Sequence, residues 1–498
     1  MGALFHYNVA VAALLSAVFL GLCVFKPLYN VFFHPLRTYP GPLICKLSAL
    51  PRHAQLVRGR LPAFVADLHD AYGPVVRVGP NELSFIDSQA WRDIYSPLND
   101  KLSTVPAKEL EKDSRFYSIF GPDVPDNLMI AKFEEHQQLR RRLAPGFTEK
   151  ALRAQEPIIQ HYVNMLVERL RALSADGSAP VNLTDWFTYL TFDIIGKMAF
   201  GSDFGCVEKS QFHPWVEAIT KNLREFVWLQ LMAYFDTRWL SRRVASFAVL
   251  GGRAFHENLT KQMLQSRLDI KEDRADIIGA ILKSDEPFTF DKLHSNSSMF
   301  IIAGSETTAT LLTGFFSLLS ENPKARGRVT NEIRSSFRAQ DDITLASVKS
   351  LPYLLACINE ALRLLPPTPN GMARVVPKAG RVICGQHVPQ DTIVSVAPWA
   401  AYRSEQNFAL PQEFHPERFL KDDRFANDNF NALQPFSFGH RNCIGRHLAY
   451  AEAQLVLAKI IFNFDFEVDP GNKEWISQQK AYVLWDRSEL KVIFRPVR

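Results

Sequence analysis

Apolar positions along the chain repeat mostly at helical spacing. Leu448, Ala451, Leu455 and Ala458 share one face of a run from Arg446 to Phe462, which predicts an amphipathic helix there. The same pattern predicts helices over Lys132 to Leu143, stopped by Pro145-Gly146, and over Glu156 to Leu173 and Leu183 to Phe200. A long helix is expected over Ser295 to Ser320, interrupted in character at Ala303 to Thr308. A shorter one opens at Pro352 and ends at Pro366-Pro367. Strand signals are few. Tyr72-Gly73-Pro74 precedes Val75 to Val78, and Gly79-Pro80 precedes Leu83 to Ile86, a strand–turn–strand reading and a small sheet. The stretch Lys101 to Ile130, with Pro106, Gly121, Pro122 and Pro125, reads as irregular.

The N-terminus follows a different pattern. Met1 to Phe25 carries no Lys, Arg, Asp or Glu, and Val9 to Phe25 is almost wholly apolar, long enough for a membrane helix. A cleaved signal peptide is the rival, but it wants a basic residue before the apolar core. Lys26, Arg37, Lys46 and Arg52 follow the run instead, which places the main domain on the cytosolic side. Prolines from Pro35 to Pro42 then read as a stiff neck. The expected division is a transmembrane anchor over 1–25, a proline-rich neck over 26–50 and one large domain over 51–498, since no linker, charge block or repeat divides the body. Phe226 to Leu240, apolar and bearing two tryptophans, is either a second contact with the membrane interface or ordinary core.

Composition changes this picture little. Of the 498 residues 47% are hydrophobic and 37 are phenylalanine, enough for a substantial apolar interior. A net charge of +5, spread along the chain, does not indicate a nucleic-acid partner. The six cysteines are scattered without a disulfide-like framework, which fits a reducing compartment. Asn182, Asn258 and Asn296 each open an N-x-Ser/Thr sequon, which a cytosolic domain leaves unglycosylated.

The chemistry concentrates at Phe436 to Gly445, Phe-Ser-Phe-Gly-His-Arg-Asn-Cys-Ile-Gly. Cys443 sits in a tight loop before a helix N-terminus, where unpaired N–H groups and the helix dipole favour a thiolate. Gly439 and Gly445 let the backbone turn and approach a flat ligand. Phe436 can pack on the face of such a ligand, and Arg441 can meet a carboxylate on its rim. This set suits the proximal ligand of a haem iron. Two other readings compete: a buried structural cysteine, and a zinc site with His440 and His447, for which no paired ligand spacing stands nearby.

The pattern Phe-x-x-Gly-x-Arg-x-Cys-x-Gly resembles the cysteine-loop signature of the cytochrome P-450 (haem-thiolate) family. Ala303-Gly304-Ser305-Glu306-Thr307 is similar to its oxygen-binding motif. Glu360-x-x-Arg363 and Pro416-Glu417-Arg418-Phe419 are similar to the elements of its buried ionic triad. The motifs stand in the family's order from the neck to the final segment, and the neck looks like those of fungal microsomal members.

The resemblance implies a mostly helical haem domain with a small β-rich region and an N-terminal transmembrane helix. It implies haem b ligated by Cys443, with Phe436, Gly439, Arg441, Arg140, His136 and Arg374 around it. His136 stands where tryptophan is usual. Thr307, on the face shared by Phe300, Ala303, Gly304 and Leu311, and Glu306 are implied as the proton-delivering catalytic pair beside the iron. Phe116, Tyr117, Phe120, Pro367 to Met372 and Ala481 to Leu484 fall where the family places substrate contacts.

The implied reaction inserts one oxygen atom from O2 into an apolar small molecule of fungal secondary metabolism. Electrons come from NADPH through NADPH-cytochrome P-450 reductase, with cytochrome b5 as a further donor, at the endoplasmic reticulum membrane. A reductase-independent isomerase or dehydratase and a non-enzymatic haem-binding membrane protein are the alternatives. The intact Glu306-Thr307 pair speaks against the first, and the joint presence of both motifs against the second.

Overall fold

The computed structural model describes residues 6, 21–97, 109–117, 125–174, 179–235, 250–270, 274, 276–283 and 288–497, with only the backbone of 22–23, 217–226 and 250–254. The expected membrane helix, Phe120 and residues 236–240 lie outside the described residues, apart from His6 and 21–25 of the anchor.

Long helices carry the fold: α1 (Phe133–Leu143), α2 (Glu149–Leu173), α3 (Leu183–Phe200), α4 (Pro214–Tyr234), α5 (Leu250–Asp269), α6 (Phe290–Glu321), α7 (Pro352–Leu364) and α8 (Arg446–Asn463). Side-chain caps define several starts. Thr148 Oγ1 accepts from Ala151 N, Asn182 from Thr184 N and Thr289 from Lys292 N, each satisfying an N–H that helix geometry leaves unpaired. Gly201, at φ 66, closes α3 in the left-handed conformation that glycine adopts without strain.

Helix α3 is buried on nearly all faces and packs along α6, which also meets α7 and α8. Phe187 and Phe316 join the two helices with ring centroids 5.7 Å apart, and Phe316 meets Phe466 at 4.8 Å. Truncating such a ring costs about 3–5 kcal/mol. Helix α6 is long and apolar enough to cross a bilayer, but its burial against α3 makes it a core helix. It runs as one α-helix through Ala303 to Thr308, where the sequence changes in character. Thr307 does return its hydroxyl to Ala303 O at 2.6 Å, yet Ser305, Thr310 and Thr313 do the same to their own i−4 carbonyls. The bond is a habit of the whole helix and does not mark a kink.

The principal sheet contains β1 (Val75–Gly79), β2 (Glu82–Phe85), β3 (Glu111–Lys112), β4 (Arg374–Val375) and β5 (Ile393–Val396), in the order β1-β2-β5-β4-β3. It pairs β2 with β5 in parallel, and β4 antiparallel with both β5 and β3. The neck folds onto this sheet. Short helices occupy Lys26–Phe32 and Leu43–Leu47, and the buried Arg77 guanidinium donates to Asn30 O at 3.0 Å and Leu36 O at 3.3 Å. Prolines stop long helices there, as expected, but the segment is packed structure rather than a bare spacer.

Candidate active site

A cavity of about 840 Å³ opens between α6 and the loop before α8. Phe436, Cys443, Ile444, Gly445, Leu448 and Ala449 form one wall, and Ala303, Gly304, Thr307 and Thr308 lie among the others. The cysteine loop is held by Cys443 N donating to Phe436 O at 2.8 Å. Gly439 stands at φ +74, and a Cβ there would fall 2.4 Å from Tyr95 O. It therefore serves the turn and the packing against Tyr95, while Gly445 faces open space next to the Cys443 sulfur. Burial pushes the Cys443 thiol up; the Gly445 N–H, Arg140 and Arg446 oppose that rise. A metal cation held by this sulfur would add stabilisation for the thiolate.

Cations collect at one edge of the cavity. Arg140, on α1, donates to Asn442 O at 2.6 Å and to Asn442 Oδ1 at 2.5 Å, gripping the residue before Cys443. Arg441 pairs with Glu109 and donates to Ala131 O at 2.9 Å, and His440 Nε2 lies 2.8 Å from the same carboxylate. Burial would raise Glu109, but the hydrogen bonds of His440 and Arg441 outweigh it and hold the carboxyl at about 2. Arg374, on β4, donates to Tyr117 Oη and Ala373 O, both at 3.1 Å. His136 is buried with Nδ1 unpartnered. Burial first, then the charges of Arg441 and Lys112, push its ring down to about 3, so it is a neutral donor or acceptor.

Sequence reasoning missed Lys112, which lines the cavity, Glu109 behind Arg441, and Asn442 beneath Arg140. The first two come from the stretch read as irregular; strand register brings Lys112 to the site, and Glu109 lies just before that strand. Asn442 stands inside the cysteine motif at a position the pattern leaves free.

The expected catalytic pair separates. Thr307 lines the cavity, half-buried, as its helical face requires. Glu306 does not. One residue earlier on α6, it is buried on another face and paired with Arg487 at 2.8 Å, while Arg487 also donates to Thr188 Oγ1 at 3.2 Å. The expectation that its carboxylate stands at the cavity is corrected on that ground. Gly304 also lines the cavity, and a Cβ there would fall 2.8 Å from Ile195 on α3, so its smallness serves helix packing. Phe116, Tyr117, Pro367, Thr368, Asn370 to Met372 and Tyr482 to Leu484 converge on the cavity.

Behind the cysteine loop Glu360, Arg363 and Arg418 form a buried cluster. Arg363 and Arg418 meet Glu360 at 2.8 and 3.0 Å, Arg418 also pairs with Asp428, and every side chain in these pairs is fully buried.

A thiol on one wall, an apolar interior and a cationic edge with an orphaned imidazole nitrogen fit a flat, dianionic ring whose iron takes a sulfur ligand. The geometry therefore defines a haem-thiolate protein. A family model described as Cytochrome P-450 matches residues 38–494. The chain is 44% identical over 491 residues to cytochrome P-450 monooxygenase tpeC of Talaromyces stipitatus, covering 98% of this chain and 95% of that one. It is 39% identical over 474 residues to cytochrome P-450 monooxygenase 1 of Neocamarosporium betae, covering 95% of each. It is also 39% identical over 474 residues to the averantin hydroxylase of Dothistroma septosporum, covering 94% of this chain and 88% of that one. The chain belongs to the cytochrome P-450 family. Its activity is that of a haem-thiolate monooxygenase.

Proposed function

We propose that the enzyme hydroxylates or epoxidises an apolar small molecule of fungal secondary metabolism, drawing electrons from NADPH through a membrane-bound flavoprotein reductase, with cytochrome b5 as a further donor. The observation that carries the reading is one cavity with Cys443 on one wall and the Thr307 hydroxyl on another, lined between them by Phe116, Leu128, Met129, Met299 and Ile302. Such a lining desolvates an apolar substrate and orients it by shape. A relative named for hydroxylating averantin is consistent with this substrate class. When bound, haem supplies the reductive activation of dioxygen, with the cysteine sulfur pushing electron density toward O–O cleavage.

The chain's own groups do the rest. Cys443 would give the sulfur, Arg140, Arg374, Arg441 and His136 would hold the ring's carboxylates, and Phe436 would pack on the ring. The Thr307 hydroxyl holds a proton at Oγ1, shared with Ala303 O, where it can be passed into the cavity. Glu306 acts as a positioning residue that keeps α6 in register against Arg487 and Thr188. Residues 1–25 anchor the protein in the endoplasmic reticulum membrane with residues 51–498 in the cytosol.

The test combines a spectrum with coupling. The reduced protein under CO should show the red-shifted Soret band of thiolate ligation. In a deletion strain a precursor one oxygen atom lighter than the lost metabolite should accumulate. With that precursor and the reductase, Thr307→Ala should still oxidise NADPH but divert it to peroxide, lowering product formation by about 10²-fold, the scale of one lost acid–base group. Unchanged coupling in the variant would remove Thr307 from the proton path. Full turnover without a reductase would overturn the monooxygenase reading.

A further inference from the structure

The cavity has a second polar end. Away from the cysteine loop it follows α6 toward that helix's N-terminal half, where His256 and Glu257 of α5 and His294 and Ser298 of α6 line it. Most polar groups here are already spent. His294 Nε2 lies 3.2 Å from Glu257 O, and Ser295 Oγ donates to Pro125 O at 2.8 Å while accepting from Asn127 Nδ2. Ser298 differs. Its hydroxyl is hydrogen-bonded to His256 Nε2, and His256 Nδ1 is bonded to Trp215 Nε1. Trp215 is fully buried against Phe192, Phe200 and Phe204, which fix the direction of its indole N–H. An indole N–H only donates, so His256 Nδ1 accepts and the neutral ring carries its hydrogen on Nε2. That hydrogen is donated to Ser298 Oγ, and the serine's own proton is left to go elsewhere. The hydroxyls of Ser305, Thr307, Thr310 and Thr313 on the same helix donate to their i−4 carbonyls. Among the described residues the Ser298 side chain has no bond besides that to His256, and it stands half-buried in the cavity wall.

We propose that Ser298 is a specificity-determining residue, a hydrogen-bond donor aimed into the cavity that recognises a carbonyl oxygen of the substrate. This rests on the proposed function and narrows it: the substrate is an elongated apolar molecule with a carbonyl at the end remote from the oxidised carbon. Trp215 and His256 are positioning residues that set the direction of the serine proton and act through Ser298. By helical rise Ser298 stands about 13 Å along α6 from Thr307, on the side facing α5, where the bond to His256 holds it. A substrate that reaches both residues has the length of a fused polycycle rather than of a single ring. Once a ligand has expelled water from this end, a donor left without an acceptor costs more than a made hydrogen bond gains. The site therefore rejects a wholly hydrocarbon ligand as well as favouring a carbonyl.

The test compares two ligands of one shape on the haem-loaded enzyme: acetylanthracene, acetylated on an end ring, and isopropenylanthracene, in which a methylene group replaces the carbonyl oxygen. Dissociation constants are measured by equilibrium dialysis for wild type, Ser298→Ala, His256→Phe and His256→Gln. Wild type should bind the ketone about tenfold more tightly than the alkene, the scale of one hydrogen bond made against one donor stranded. Ser298→Ala should abolish that preference by weakening the ketone without weakening the alkene. His256→Phe keeps a ring in place but releases the serine hydroxyl to its own helix, and should lose most of the preference. A glutamine accepts from Trp215 with its carbonyl and donates to Ser298 with its amide, so His256→Gln should retain it. A purely structural trio would change both affinities alike and leave their ratio unmoved. A wild-type ratio within twofold of unity, a ratio unchanged in Ser298→Ala or His256→Phe, or a wild type that binds neither ligand overturns the proposal. Turnover without a reductase would instead strike the proposed function, and it leaves this ratio untouched.

Discussion

Two clusters of basic side chains flank the cysteine loop, and they are built on opposite terms. Behind the loop, the charges of Glu360, Arg363, Arg418 and Asp428 are closed within the protein, with side chains fully buried. Arg363 spends its remaining donors on the carbonyls of Tyr402, Pro411 and Glu413 at 2.6–2.8 Å. At the cavity edge, Lys112, Arg140, Arg374 and Arg441 share only the Glu109 ion pair among the described residues. A buried charge is costly unless it is paired. A cluster complete in the folded chain therefore serves folding, and a cluster left short of anions toward a cavity serves a ligand. The two are indistinguishable as lists of arginines; what separates them is where their donors end.

The sharpest way to break this contrast is to truncate one arginine from each cluster. Arg363→Ala strips Glu360 of its bidentate partner, leaving only Arg418 to pair with it, and takes the donor from three carbonyls; it should cost about 3–5 kcal/mol. Soluble yield should collapse, and any protein recovered should unfold at much lower denaturant. Arg374→Met should leave the helical fold intact by circular dichroism while lowering the haem-to-protein ratio, which adding excess haem partly restores. Were Arg374→Met to aggregate as Arg363→Ala does, the edge would be part of the folding core and the contrast would fail.

How much of this was legible in the chain follows the same line. The closed cluster was readable because Glu360 and Arg363 lie one turn apart on α7, and Arg418 sits in a recognisable motif. The Cys443 wall was readable for the same reason, and most helices began and ended close to where periodicity placed them. The open edge was readable only in part. Arg140, Arg374 and Arg441 fall in motifs, but Lys112 reaches the edge through a two-residue strand, too short to leave a period, and its partner strand lies more than 250 residues further on, since Lys112 pairs with Arg374. Glu306 was misplaced because adjacency in sequence with Thr307 means about 100° of rotation on a helix, and the Arg487 that claims it comes from the far end of the chain.

Glu109 tests the edge through pH. Its carboxyl, held at about 2 against an ordinary 4.5, binds fewer protons folded than unfolded between those values. Its contribution is therefore present above about pH 4.5 and lost as pH falls toward 2. Glu109→Gln should lower the thermal midpoint at pH 7 by an amount equivalent to about 2 kcal/mol, and the gap from wild type should narrow below pH 4.5. A gap independent of pH would mean that Glu109 acts by shape and not by charge.

Glu452 offers the smallest and cleanest case, a carboxyl in the cavity wall that belongs to neither cluster. It lies on α8, buried, with Oε1 unpartnered, and burial pushes it up from 4.5 to about 8. The sign is opposite to that of Glu109. Between those values the folded protein holds a proton that the unfolded chain has released, so stability falls as pH rises through the window. Glutamine keeps the shape and stays neutral at every pH. Glu452→Gln should match wild type near pH 4.5 and exceed it near pH 8, by an amount on the order of 1–2 kcal/mol after allowance for water entering beside an ionised carboxylate. The measurement is the thermal midpoint of both proteins across that range at constant ionic strength. Parallel curves would show that Glu452 finds a cation in solution, and that an acid facing this cavity is no more isolated than the basic groups on its other edge.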